Sequence, residues 1–202
     1  LDAAAIEKVK TEAWPEATNP DELHDALMLI GAMEPEEIHR SASENTEQFF
    51  STLMTENRAR HLIVRIQHSN SCEVLEHGGA PPLSNGDAAS EKRRSTRALQ
   101  NGDARKTFYV ASERLPMIRA IYPSAVSEPE LVLPDSMHGR TWERADAIRE
   151  LIRGRMEVCG PITVSELADT LGLQQSEIDT ALLALEAEGF VLRGRFHPDA
   201  VE

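Results

Sequence analysis

The feature that most constrains this chain is a polar stretch at about 67–106, set between two strand-like runs. It contains Gly78-Gly79, Pro81-Pro82, Asn85-Gly86 and Asn101-Gly102, and few large apolar groups. A segment of that make-up buries too little apolar surface to offset the entropy of ordering it. The flanking runs, 60–66 and 107–111, carry Leu62, Ile63 and Val64 on one side and Phe108, Tyr109 and Val110 on the other. Such residues suit a pleated, half-buried surface. The stretch therefore reads as an enlarged, mostly disordered loop between two paired strands. What remains is two short blocks, so the fold must be made of small modules. Aromatics are only 4% of the chain, and the cores must come from Leu, Ile, Val, Ala and Met.

The first block holds helical composition over 3–13, ending at Trp14-Pro15. Asn19-Pro20-Asp21-Glu22 is a helix start: Asn caps, Pro suits the first helical position, and the two carboxylates face the positive end of the dipole. Leu23, Ala26, Leu27 and Ile30 follow at helical spacing, up to Gly31. A further helix is predicted over 44–57, with Phe49, Phe50, Leu53 and Met54 as its apolar stripe. A short helix over 113–121 follows the second strand. The Pro- and Ser-rich 122–140 reads as a linker.

In the last block, 142–158 is predicted helical, with Ala145, Ile148, Ile152 and Met156 on one face. Cys159-Gly160-Pro161 breaks it, and 161–163 reads as a very short strand. A helix opens near Ser165 and ends at Gly172. Another is capped by Ser176, buries Ile178, Leu182 and Leu185, and ends at Gly189. A closing strand is predicted over 190–196. Helix, short strand, helix, tight turn, helix, strand is the order of a winged helix. The first block gives a similar order, three helices and then two strands. The expected fold is mainly α with small β-hairpins, as tandem winged-helix modules. Residues 1–121 form the first (with the insertion at 67–106), 122–140 the linker, and 141–202 the second.

Four strings, in order along the chain, resemble the C-terminal extension of bacterial large helicase-related (Lhr-type) ATP-dependent DNA helicases. The first is Glu12-Ala13-Trp14-Pro15 followed by Asp21-Glu22-Leu23-His24-Asp25-Ala26-Leu27. The second is Ala111-Ser112-Glu113-Arg114-Leu115-Pro116. The third runs from Arg149 to Glu157 and on through Gly160-Pro161-Ile162-Thr163. The fourth runs from Leu185 to Phe196. The insertion at 67–106 is longer than that family's usual connection. The resemblance implies a motor core upstream, with ATP and Mg as its cofactors, and a role in DNA repair. It implies a likeness to the winged-helix arrays of some bacterial DNA glycosylases. The implied partners are DNA, reached through the complete protein, the upstream helicase core, and sister copies in a homo-oligomer.

The residues themselves carry no motor chemistry. There is no Gly-x-x-x-x-Gly-Lys-Ser/Thr loop, and no helicase-type Asp-Glu-x-His string. His68, Cys72 and His77 have metal-ligand side chains but lack a fourth ligand at clear spacing, so no metal is expected. His24 lies beside Glu22 and Asp25 without a nucleophile, and a packing or intrahelical role is expected. Cys159 closes an apolar helix face and reads as core. Cys72 and Cys159 read as free thiols of a cytoplasmic protein. No apolar run is long enough to span a bilayer, and the first ten residues read as an amphipathic helix rather than a signal peptide. The chain opens on Leu1 and closes at Glu202, as expected of a piece of a longer protein.

Net charge is −13, with 6 Lys/Arg against 13 Asp/Glu in residues 1–66 and 7 against 12 in 139–202. An acidic surface repels phosphate, and nucleic-acid affinity rests on clustered Lys and Arg. The helix after the tight turn holds Glu177, Asp179, Glu186 and Glu188 with no Lys or Arg, so it should not read base edges. The candidate DNA contacts are Arg193 and Arg195, which alternate along the closing strand, and Arg153 on the first helix of that block, where Arg155 adds positive charge on a different face. Lys92, Arg93 and Arg94, with Arg97 beyond them, are candidates for a flexible phosphate-binding arm. The leading expectation is an accessory fragment of a DNA helicase that guides DNA or holds the assembly together, without catalytic residues. The alternatives are part of a glycosylase-like array, whose pocket and activating acid would lie largely outside this sequence, and a protein-interaction module.

Overall fold

A computed structural model describes residues 2–66, 104–128 and 141–194. They are mainly helical, with one small antiparallel sheet. Helix α1 spans Ala3–Ala13, capped by the Asp2 carboxylate on the Ala4 N–H. Helix α2 spans Pro20–Ile30, where Asn19 accepts from the Glu22 N–H as the sequence predicts. Its face of Leu23, Ala26, Leu27 and Ile30 is buried. Helix α3, Pro35–Ala42, has no counterpart in the sequence reading. A 3-10 turn at Ser43–Asn45 then leads into α4, Thr46–Thr55.

Strands β1 (Ala59–Ile66) and β2 (Ala104–Ala111) pair antiparallel, with His61 opposite Tyr109 and Arg65 opposite Arg105. A 3-10 turn at Ser112–Arg114 precedes α5, Leu115–Ile121. Strand β3, Val126–Glu128, lies inside the stretch read as a linker, and it pairs with β1 to give the order β2-β1-β3. Met33 adds an isolated bridge to Tyr109 on the outer edge of β2. Helices α6 (Arg144–Met156), α7 (Val164–Leu171) and α8 (Gln175–Ala187) complete the described chain.

The second block departs from expectation in detail. Residues 161–163 form no strand, because Thr163 is the cap of α7 in a reciprocal capping box with Glu166. The cap of α8 is Gln174, boxed with Glu177, rather than Ser176. Residues 191–194 form no strand, and 195–202 lie outside the described residues. The buried face of α6 is Ala147, Ile148, Leu151, Ile152 and Arg155, while Ala145 is exposed.

That rotation of α6 has a cause. One core cluster joins Leu62, Val64, Ile66, Phe108, Val110, Leu115, Ile118 and Ile121 of the first block to Ile148, Leu151, Ile152, Leu167, Leu171, Ile178 and Leu185 of the second. Helix α6 therefore packs on α5 and α2 as well as on α8. A second cluster gathers Trp14, Leu23, Leu27, Ile30, Met33, Ile38, Phe49, Phe50 and Leu53, and Val158 from beyond α6 enters it.

Polar ties follow the same route. Arg155, 3% exposed, donates from both terminal nitrogens to the Glu37 carboxylate at 2.7 Å each, and to the Ala32 carbonyl at 2.7 Å. The string Ser112-Glu113-Arg114 joins α2, α6 and the turn between α4 and β1. Ser112 donates to the Asn57 carbonyl, Glu113 meets His24 at 3.2 Å, and Arg114 donates to the Met28 carbonyl while facing Glu150. His24 is thus held across elements, not within its own helix. At Gly154 the backbones of α6 and α2 come so close that a Cβ would fall inside contact distance of the Leu29 carbonyl oxygen.

Candidate nucleic-acid interface

Helix α8 is the element a helix-turn-helix would present to DNA, and Glu177 within it and Glu188 at its C-cap turn back onto α6. Glu188 accepts from Arg153 and lies 3.9 Å from Arg149. Glu177 accepts from Arg144 at 2.8 Å. Glu186 lies 3.8 Å from Arg193. The Arg153 guanidinium also faces Glu150 and sits 4.9 Å from the Phe190 ring centroid. Its bond to Glu188 raises the Arg153 pKa and lowers that of the carboxylate. Exposed pairs like these add little stability. Their consequence here is for charge, because each guanidinium already has a counter-charge that a phosphate would have to displace.

Two of the expected DNA contacts, Arg153 and Arg193, are therefore engaged by α8. Arg155 is buried against Glu37 and faces no solvent. Arg195, Lys92, Arg93, Arg94 and Arg97 lie outside the described residues, as do His68, Cys72 and His77. Among the described residues no group of His, Cys, Asp and Glu could hold a metal ion, and no helix is long and apolar enough to cross a membrane.

Cys159 is half-buried, with its thiol 3.8 Å from the Met156 sulfur and 3.3 Å from the Gly160 carbonyl. Burial pushes its pKa up, against the pull of Arg155. Since the thiolate is the nucleophile, Cys159 should react with a disulfide reagent far more slowly at neutral pH than a free cysteine does. The rate should rise as the solution is made alkaline. Colorimetric thiol titration of a Cys72→Ser variant measures this, and prompt labelling at pH 7 would show an accessible thiolate instead.

The face of the sheet turned away from the shared core is built differently. Along β1, Leu62, Val64 and Ile66 point inward, so His61, Ile63 and Arg65 point out. Directly opposite on β2 are Tyr109, Thr107 and Arg105, and β3 adds Glu128 and Val126. At one end, α4 closes over the sheet. The Phe50 ring stacks on His61 at 4.6 Å, and Tyr109 meets both rings edge-on at 4.5 Å. Between α4 and these strands runs an open groove of about 530 Å³, lined by Phe50, Met54, His61, Tyr109 and Glu47 among others.

The His61 Nε2 is buried and has no hydrogen-bond partner among the described residues. Desolvation lowers the imidazole pKa, opposed by Glu128. Desolvation, then Glu47 and Glu36, raises the Tyr109 pKa. At the other end of the face Arg65 and Arg105 are both exposed, and neither meets a carboxylate among the described residues. These residues are not neighbours in sequence, and only the strand register brings Arg65 beside Arg105. The signal was the alternation His61, Ile63, Arg65 set against Arg105, Thr107, Tyr109 in the paired strand.

Compared with known proteins, the chain matches no family model and no curated protein.

Proposed function

We propose that this chain is an accessory, non-motor segment of an ATP-dependent DNA helicase acting in DNA repair. In this reading its two blocks are winged-helix modules that guide DNA or hold the assembly together. The observation that carries the reading is the core shared between the blocks, tied by the buried Arg155–Glu37 pair. A part that guides a strand or braces a motor must keep its two ends in fixed relation, and it needs no reacting group. The β1–β2 pair after α4 supports a winged-helix reading of the first block, and the α6–α7–α8 order supports the helix-turn-helix part of one in the second. The four ordered strings described above support the helicase reading. On this reading ATP and Mg act in the motor, the partners are the motor, DNA and sister copies, and the site of action is the cytoplasm.

The test compares the complete helicase polypeptide with and without this segment. Removal should leave DNA-stimulated ATP hydrolysis nearly intact and abolish most strand separation. Strand separation at an equal rate without the segment would overturn the reading, as would ATP hydrolysis or base excision by the segment alone.

A further inference from the structure

The open sheet face poses an electrostatic problem. Arg65 and Arg105 are directly opposite on neighbouring strands, where side chains begin only about 5 Å apart and like charges are destabilising. They stand together in a chain of net charge −13, yet no carboxylate among the described residues meets them. Two rungs along the same strands lies the open groove walled by the packed Phe50, His61 and Tyr109 rings. The two features share one face, about 14 Å apart along β1 at the usual rise per residue.

We propose that this face is a track for single-stranded DNA, with a base seated in the Phe50–His61–Tyr109 groove and backbone phosphates on Arg65 and Arg105. The polarity of the face carries the choice. Glu47 and Glu128 at the groove end repel anions, which leaves that end to a neutral, flat group, while the arginine end takes the anion. A nucleotide strand separates its charge from its base in this way, whereas an acidic peptide does not. The separation between the ends exceeds what a single nucleotide spans. A duplex keeps its base faces stacked inside, so only an unpaired strand can offer one to an aromatic groove. The proposal rests on the accessory-helicase reading and deepens it by naming the surface the strand would follow.

Fluorescence anisotropy with labelled oligothymidylate, at ~50 and ~200 mM salt, tests it on the full 202-residue chain. Wild-type protein should bind, and more tightly than it binds duplex of equal length. Arg65→Gln with Arg105→Gln should weaken binding at low salt and make the log–log salt dependence shallower by about 1.4. The same pair should raise thermal stability slightly by removing the like-charge contact, so loss of binding is not loss of fold. Tyr109→Leu should weaken binding about tenfold with little change in salt slope. If Tyr109→Leu does not fold, the arginine pair decides alone.

Three outcomes overturn the proposal. One is no binding at ~50 mM salt. Another is binding indifferent to Arg65 and Arg105 but lost in an Arg193→Ala, Arg195→Ala variant. The last is displacement by polyglutamate as readily as by oligothymidylate, which would assign the face to an acidic protein segment. Each leaves the accessory-helicase reading standing, because that reading fails only on the strand-separation comparison or on activity of the segment alone.

Discussion

A chain carrying Gly154→Ala is expected to melt about 6 °C below the wild type, although alanine is the better helix former. Propensity alone would favour the substitution by about 1 kcal/mol. Against this stands the carbonyl oxygen of Leu29, which an added Cβ would overlap. That oxygen belongs to the backbone of α2, whose other faces are buried against α4 and β2, so it has no free direction in which to yield. Overpacking against backbone costs about 3 kcal/mol, and the net loss is a large part of the few kcal/mol that keep a domain folded. Gly189→Ala is the control. Unlike the helical Gly154 it has a left-handed φ of 74°, but nothing lies within 4 Å of the new methyl, so only the backbone term of about 1–2 kcal/mol applies. Thermal melts of the two variants separate the effects. A Gly154→Ala variant that melts at or above the wild type would mean that α6 and α2 are not held in contact.

The second large effect is expected at Glu37. Replacing it with Leu leaves the Arg155 guanidinium buried with the Ala32 carbonyl and without its counter-ion, and its Nε is already unpartnered. Stranding a buried charge in this way costs about 3–5 kcal/mol. Arg155→Met alone should cost less, because Glu37 can turn to water; its side chain keeps 19% exposure. The double variant, Glu37→Leu with Arg155→Met, should recover most of the loss of the first. An apolar pair of similar volume avoids the desolvation of both ions. A double-mutant cycle by urea unfolding measures the coupling. Simple additivity of the two single losses would mean the pair is not the tie between the blocks.

The local parts of the fold were legible in the sequence. Asn19-Pro20 and the spacing of Leu23, Leu27 and Ile30 located α2, and Phe50 and Leu53 located α4, because caps and periodicity act within a few residues. Helix α3 was not legible: it is one short run with Ile38 and Ala42 as its only apolar buried residues. Strand β3 was missed because three residues in a Pro- and Ser-rich stretch carry no periodicity of their own, and the pairing with His61 to Ile63 supplies the order.

The largest difference is between blocks. Ile148 and Ile152 read as the face of a self-contained module, yet they pack in one cluster with Leu62 and Phe108. Sequence spacing reports which side of a helix is apolar, not which distant element it meets. The same limit governed the arginines. Arg153 and Arg193 read as free charge until α8 brought Glu188 and Glu186 beside them, while Arg65 and Arg105 became a pair only once the strands were in register.

The tie between Arg155 and Glu37 also has a history in time. Its two ends are 118 residues apart, and a ribosome adds about 5–20 residues each second. The emerging chain therefore spends roughly 6–24 s with Glu37 made and Arg155 not yet translated. Throughout that interval the side of α2 that will meet α6 faces water, with the Leu29 and Ala32 carbonyls still uncovered. The first block emerges before it can be finished, and whatever occupies that side of α2 in the meantime must leave before α6 can dock.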